Sequence, residues 1–108
     1  MSDKYSAEYV EYEGKYPFKQ FLEILNDDEE VEVYASIDIL IEMLNNNNRI
    51  PEKLSKSLKD GIFELRVKHF NRISRCLYFF VKGKKIYFTN GFIKKTQRTP
   101  INEIEKAS

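Results

Sequence analysis

Five cations in the second half of the chain are placed where a phosphate-binding surface needs them. Arg66 and Arg75 lie in segments of alternating character, and Lys94, Lys95 and Arg98 follow in the run Lys-Lys-Thr-Gln-Arg-Thr-Pro ending at Pro100. Strand alternation sets Glu64 and Arg66 against Phe63, Leu65 and Val67, so Arg66 points away from the core. Pairing of the two segments through the Lys68 to Arg72 turn brings Arg66 and Arg75 together, and the later basic run arrives after the next strand. Such a cluster could hold several phosphates, with Arg72 beside it. Tyr78, Tyr87 and Phe92 interleave with these cations and offer the stacking faces that single-stranded RNA recognition uses. Taken singly, each aromatic is better explained as core and each lysine as solvated surface; the strand arginines favour the functional reading.

The charge is divided along the chain. Residues 1–65 hold seven Lys or Arg against fifteen acids, and residues 66–108 hold eleven against two, Glu103 and Glu105. A formal net charge of +1 conceals this split. One-sided basic character on a small domain is an electrostatic footprint for polyanions.

Other chemistries lack their residues. One Cys and one His cannot supply the usual nitrogen and sulfur ligands of a metal centre, no spaced acidic cluster resembles a calcium loop, and no glycine loop for phosphate appears. No cofactor is expected. Cys76 lies in an apolar run, which predicts a buried, unreactive thiol and a reducing, cytoplasmic setting. His69, in a polar turn, reads as a solvated residue. No apolar run approaches the ~20 residues of a membrane span, and the first residues lack a signal-peptide pattern.

The 108 residues allow one domain, with fifteen Phe and Tyr as core material. Tyr5 to Val10 alternate as an edge strand. Pro17 suits a first helical turn, and Phe18, Phe21, Leu22 and Leu25 form the stripe of a short helix. Tyr34, Ile37, Leu40, Ile41 and Leu44 repeat that spacing in a longer helix, with Asp27 to Glu30 at its N-terminus and Asn45 to Asn48 ending it. Residues 50–60 read as a loop or a turn of helix carrying Leu54 and Leu58. Strands follow from Phe63, over Arg75 to Val81 and over Lys85 to Phe92, the last two joined by a hairpin at Gly83. Pro100, Ile101 and Ile104 suggest a final helix. The class is α+β: a small antiparallel sheet, made of a three-stranded meander plus the N-terminal strand, packed on two helices, with a C-terminal helical segment.

Three segments carry a family resemblance. Gly61-Ile-Phe-Glu-Leu-Arg66, Arg75-Cys-Leu-Tyr-Phe-Phe80, and Gly91-Phe-Ile-Lys-Lys-Thr-Gln-Arg-Thr-Pro100 with Glu103-Ile-Glu-Lys-Ala107 resemble, in order and spacing, the HigB branch of the RelE/ParE toxin superfamily. The resemblance covers residues 50 to 108 and, more loosely, the helix pair before them. It implies a RelE-like fold and the toxin of a type II toxin-antitoxin pair, an endoribonuclease that cleaves messenger RNA on the translating ribosome without metal. The implied partners are the ribosome, messenger RNA and a cognate antitoxin with a helix-turn-helix domain.

By the same resemblance Arg66 and Arg75 stabilise the transition state, and Lys94 or Lys95 acts as base or phosphate ligand. Arg72, Tyr78, Phe92 and Arg98 are the expected RNA contacts. Many relatives carry His where this chain has Asn90, and the final helix is expected to be shorter than theirs. The rival readings are a ParE-like inhibitor of DNA gyrase, without catalysis, and a relative that only binds RNA or an antitoxin.

Overall fold

The computed structural model describes residues 4–93 together with 104, 106 and 107. The elements run β1 (Ser6–Tyr9), α1 (Pro17–Glu23), α2 (Asp27–Asn45), β2 (Ser55–Ser57), β3 (Phe63–His69), β4 (Arg72–Val81) and β5 (Lys85–Ile93). They form an α+β fold whose single sheet has the order β1-β5-β4-β3-β2, compatible with a RelE-like fold.

Both helices follow the predicted stripes. Pro17 occupies the first turn of α1, where its missing N–H costs nothing, and Phe18, Phe21 and Leu22 are buried. The longer α2 opens on a reciprocal cap. Asn26 Oδ1 accepts from the Glu29 N–H at 2.8 Å, and Glu29 Oε1 accepts from the Asn26 N–H at 3.1 Å. Glu29 is therefore only 2% exposed, although a run of four acids reads as solvated surface. At the other end of α2, Asn45 Oδ1 accepts the Tyr5 N–H at 2.6 Å and ties the helix to the start of β1.

The sheet differs from expectation in two ways. It has five strands, because Ser55–Ser57 pairs antiparallel with β3; the segment read as a loop carries no apolar alternation to betray it. It is also mixed, because β1 runs parallel to β5, from Ser6 opposite Lys85 to Tyr9 opposite Phe88. The meander itself is as predicted, with Phe63 opposite Tyr78 through to His69 opposite Arg72. The turn into β4 is tighter than predicted, since only Phe70 and Asn71 separate His69 from Arg72. Gly83 makes the next hairpin at φ 87°.

The main core lies between the helices and one face of the sheet, joining Phe18, Phe21, Val33, Ile37 and Leu40 to Leu65, Val67, Cys76, Tyr78, Ile86 and Phe88. Gly91 is part of this contact. A β-carbon there would overlap the Phe21 ring, so only glycine lets α1 approach β5 so closely. The opposite face is covered as well. A second cluster joins Ile62 and Leu77 to Ala107 of the C-terminal helical residues, with Leu58, Phe79 and Phe92 packed against it. Pro100 and Ile101, expected to start that helix, lie outside the described residues.

Candidate nucleic-acid interface on the second sheet face

Cross-strand partners share a face, and this rule sorts the expected site residues. Arg66 pairs with Arg75, as alternation and the turn required. Arg75 pairs in turn with Phe92. These three, with Glu64, occupy the face away from the helices.

The two arginines do not share an environment. Glu64 is fully buried, and its Oε2 accepts from Arg66 Nε at 2.7 Å and from Arg75 Nη1 at 2.9 Å. The side chain of Arg66 keeps 28% of its exposure, while Arg75 has 2%. Arg75 was expected to stand free of the core; the correction is that the second face is itself dry around it. A carboxylate at the centre of the pair was not anticipated as a site residue. The signal existed: Glu64 is the lone acid on a strand with two basic residues, and shares a face with Arg66 at i+2.

Arg72 and Tyr78 belong to the other face. Each is three residues from Arg75 on one strand, and an odd separation reverses the side. Arg72 Nε lies 2.8 Å from Glu29 Oε2, so this arginine closes the sheet against the start of α2. Tyr78 is 2% exposed, stacks on Phe63 at 5.6 Å and shares a hydrogen bond with Ser55 Oγ. Neither is placed to meet RNA beside Arg66. Phe92 is on the expected face but half-buried in the second apolar cluster. Lys94, Lys95 and Arg98 lie outside the described residues.

A bulge decides what else joins the second face. Register shifts between Leu77 and Tyr78, so Tyr78 pairs with Phe88 and Leu77 with Asn90, leaving Thr89 as the extra residue. Without it Asn90 would alternate onto the helix side with Ile86 and Phe88. The bulge turns Asn90 and Phe92 outward and keeps Gly91 under Phe21, a use of bulges that recurs near functional sites. Thr89 Oγ1 donates to Asn90 Oδ1 at 2.6 Å, and lies 3.3 Å from the Leu77 carbonyl oxygen.

The thiol of the helix-side core is inert. Burial, helped by the Glu64 charge, pushes the Cys76 thiol well above its ordinary range. A thiol so held is no nucleophile. His69 ends β3 with its ring against Phe70, itself 83% exposed.

The family model described as Phage derived protein Gp49-like (DUF891) matches residues 20–108. The chain belongs to that family. Gp49-like proteins fall within the RelE/ParE-like toxin superfamily, which agrees with the sheet and helix arrangement; the HigB branch is a finer assignment than this match carries. The match begins inside α1 and leaves β1 outside it. No curated protein matches the chain. No helix among the described residues is long and apolar enough to cross a membrane.

Proposed function

We propose that this Gp49-like protein is the toxin of a type II toxin-antitoxin pair, of HigB-like type, and that it cleaves messenger RNA on the translating ribosome. The observation that carries the reading is the Arg66 guanidinium, partly open to solvent and pinned by a buried carboxylate on a face that Arg75 also serves. Membership of a toxin superfamily and the basic second half of the chain support it.

In this reaction the ribose 2′-hydroxyl loses its proton and attacks the adjacent phosphorus. The P–O5′ bond breaks, a 2′,3′-cyclic phosphate forms, and the departing 5′-oxygen takes up a proton. Negative charge grows on the phosphoryl oxygens, and a fixed cation there is worth more in the transition state than in the ground state. Arg66 supplies that cation. Arg75 has no access to substrate; it is a positioning residue that holds Glu64, and through it Arg66, in place. Lys94 or Lys95 serves as proton acceptor or second phosphate ligand. The antitoxin, with its helix-turn-helix domain, and the ribosome are the partners, and no cofactor takes part.

Primer extension on messages after brief expression tests the reading. Discrete cuts confined to translated frames, absent with Arg66→Ala, are the expected result. Intact messages with broken DNA would replace it with gyrase inhibition, and growth arrest without either would leave a binding protein.

A further inference from the structure

The hairpin between β3 and β4 turns on an aromatic ring. Phe70 is 83% exposed, more than any other large apolar side chain among the described residues, and its backbone stands at φ 55°. A bulky side chain is disfavoured in that left-handed region, and two-residue hairpin turns ordinarily place Asn, Asp or Gly there. The ring therefore does little for the fold: it buries almost no surface, and Asn would suit the turn better. The His69 ring meets it edge-on, 4.6 Å between centres, and Lys68 and Asn71 beside it are exposed. The base of the hairpin is held to the start of α2 through Arg72 and Glu29. The result is a fixed aromatic knob with a cation at its side.

A groove of opposite character lies between β1 and α2. It measures about 370 Å³ and is lined by Ala7, Glu8, Tyr9, Tyr34, Ile37 and Asp38. That volume is at the low end for ligand sites and suits a side chain with a single ring. Ile37, Tyr9 and Tyr34 supply apolar and ring surface, and Tyr34 is left 44% exposed there. Glu8 and Asp38 are exposed and bring two carboxylates to the lining, which includes no cation.

We propose that the Phe70 hairpin of one copy docks in the β1–α2 groove of a second copy, so that the protein associates with itself head to tail. The Phe70 ring enters beside Tyr9 and Tyr34, where offset or edge-to-face contacts are favourable, and the Lys68 ammonium meets the carboxylates of Glu8 and Asp38. A second copy is the occupant because charge pairs these two surfaces of one chain. The knob belongs to the basic residues 66–108 and the groove to the acidic residues 1–65, so docking sets opposite signs against each other. Knob and groove share no residue, which makes the contact heterologous. Centred on one ring, it is of the small class that forms transient complexes. It uses neither Arg66 nor the groups that hold Arg66, and stands apart from the nuclease reading.

Sedimentation velocity of the full-length protein, over a series of concentrations and salt, tests the contact. The average mass is expected to rise with concentration and to fall back as salt screens the paired charges. Phe70→Asn removes the ring and accepts the positive φ. It is expected to weaken association roughly thirtyfold, the scale of a lost interface hot spot, with a thermal midpoint unchanged or raised. Asp38→Lys, at an exposed position of the groove, is expected to weaken association by a comparable factor. Mixing the two variants is the decisive arm. The intact knob of Asp38→Lys meets the intact groove of Phe70→Asn, so association should return in the mixture although neither variant associates alone. A monomer at every concentration up to the millimolar range overturns the proposal, as does association that both variants retain, or a mixture that stays monomeric. A lowered thermal midpoint in Phe70→Asn would assign the ring to the hairpin's own stability and overturn it as well. Mapping of message cuts in cells keeps the two readings apart: cuts made by a protein that never associates leave the nuclease and remove the contact, and association without cuts does the reverse.

Discussion

Arg66 and Arg75 face each other across two strands, yet their truncation has unlike consequences. Arg75 is 2% exposed and bound to a carboxylate with no exposure at all. Arg75→Ala breaks a buried pair and should cost about 3–5 kcal/mol of stability, enough to unfold a marginal domain. Arg66→Ala removes a partly solvated group and should leave the fold intact while cleavage falls roughly a hundred- to a thousandfold, the effect of one donor to a developing anion. Denaturant unfolding and a cleavage assay on both variants separate the roles. Equal stability in the two would remove the distinction between positioning and contact. The sequence revealed that these residues leave the helix face, because alternation states a side. It does not state whether that side is wet: Phe92, the cross-strand partner of Arg75, packs against a cluster that holds Ile62 and Ala107, and that packing is not written in the strand itself. For Tyr78 and Arg72 the parity from Arg75 was readable and excludes both from the cluster.

At the scale of the element, the two devices that fix the helices against the sheet are short and local. Gly91→Ala would drive a methyl into the Phe21 ring, and overpacking of this kind costs about 1–3 kcal/mol. A Phe21→Ala,Gly91→Ala double variant should show coupling between the sites, and strict additivity of the two costs would argue against the contact. Asn26→Ala should cost about 1 kcal/mol through loss of the cap on α2. Glu29→Ala should cost more, because this carboxylate both closes the cap and meets Arg72. Thermal unfolding ranks the two. Helices were legible because periods of three and four persist over several turns. The reciprocal cap of Asn26 and Glu29 was missed, although Asn-x-x-Glu is a capping pattern, because the acids at the helix start were taken only as charge. β2 was not, since Ser-Lys-Ser has no apolar residue to alternate, and neither was the direction of β1, because alternation is the same in parallel and antiparallel pairs.

For the molecule as a whole, the helix-side core should set the alkaline limit. Burial, then Tyr34, pushes the Tyr9 phenol up to about 12 from an ordinary 10.0. Burial raises Cys76, and also Tyr78, where the Ser55 hydrogen bond partly opposes it. Each group holds its proton more tightly folded than unfolded. Their contribution is therefore complete below the ordinary values, which begin at 9.0 for the thiol, and is lost as pH rises through the folded ones. The urea midpoint should be level near neutrality and fall above about pH 9; a midpoint constant to pH 12 would mean that these groups titrate alike in both states. The division of charge makes a second prediction. Changing Lys94, Lys95 and Arg98 to Gln should weaken ribosome co-sedimentation and flatten its dependence on salt, as fewer counterions are released. Indistinguishable salt series would leave this run as solvated surface.

The parallel pairing of β1 with β5 also sets a clock. Ser6 emerges from synthesis before both helices and three strands, and its partner Lys85 follows only after them. Hairpin contacts between β3, β4 and β5 form from neighbouring chain as it appears, whereas the first strand waits for the last, and contacts so distant along the chain form slowly. Until then β5 has one edge open, and Tyr9 lacks the sheet behind the Phe18 ring it meets at 5.3 Å. A nascent copy therefore cannot hold its first strand in the sheet until β5 has been made, and the backbone groups of β1 stay without their ladder partners until then.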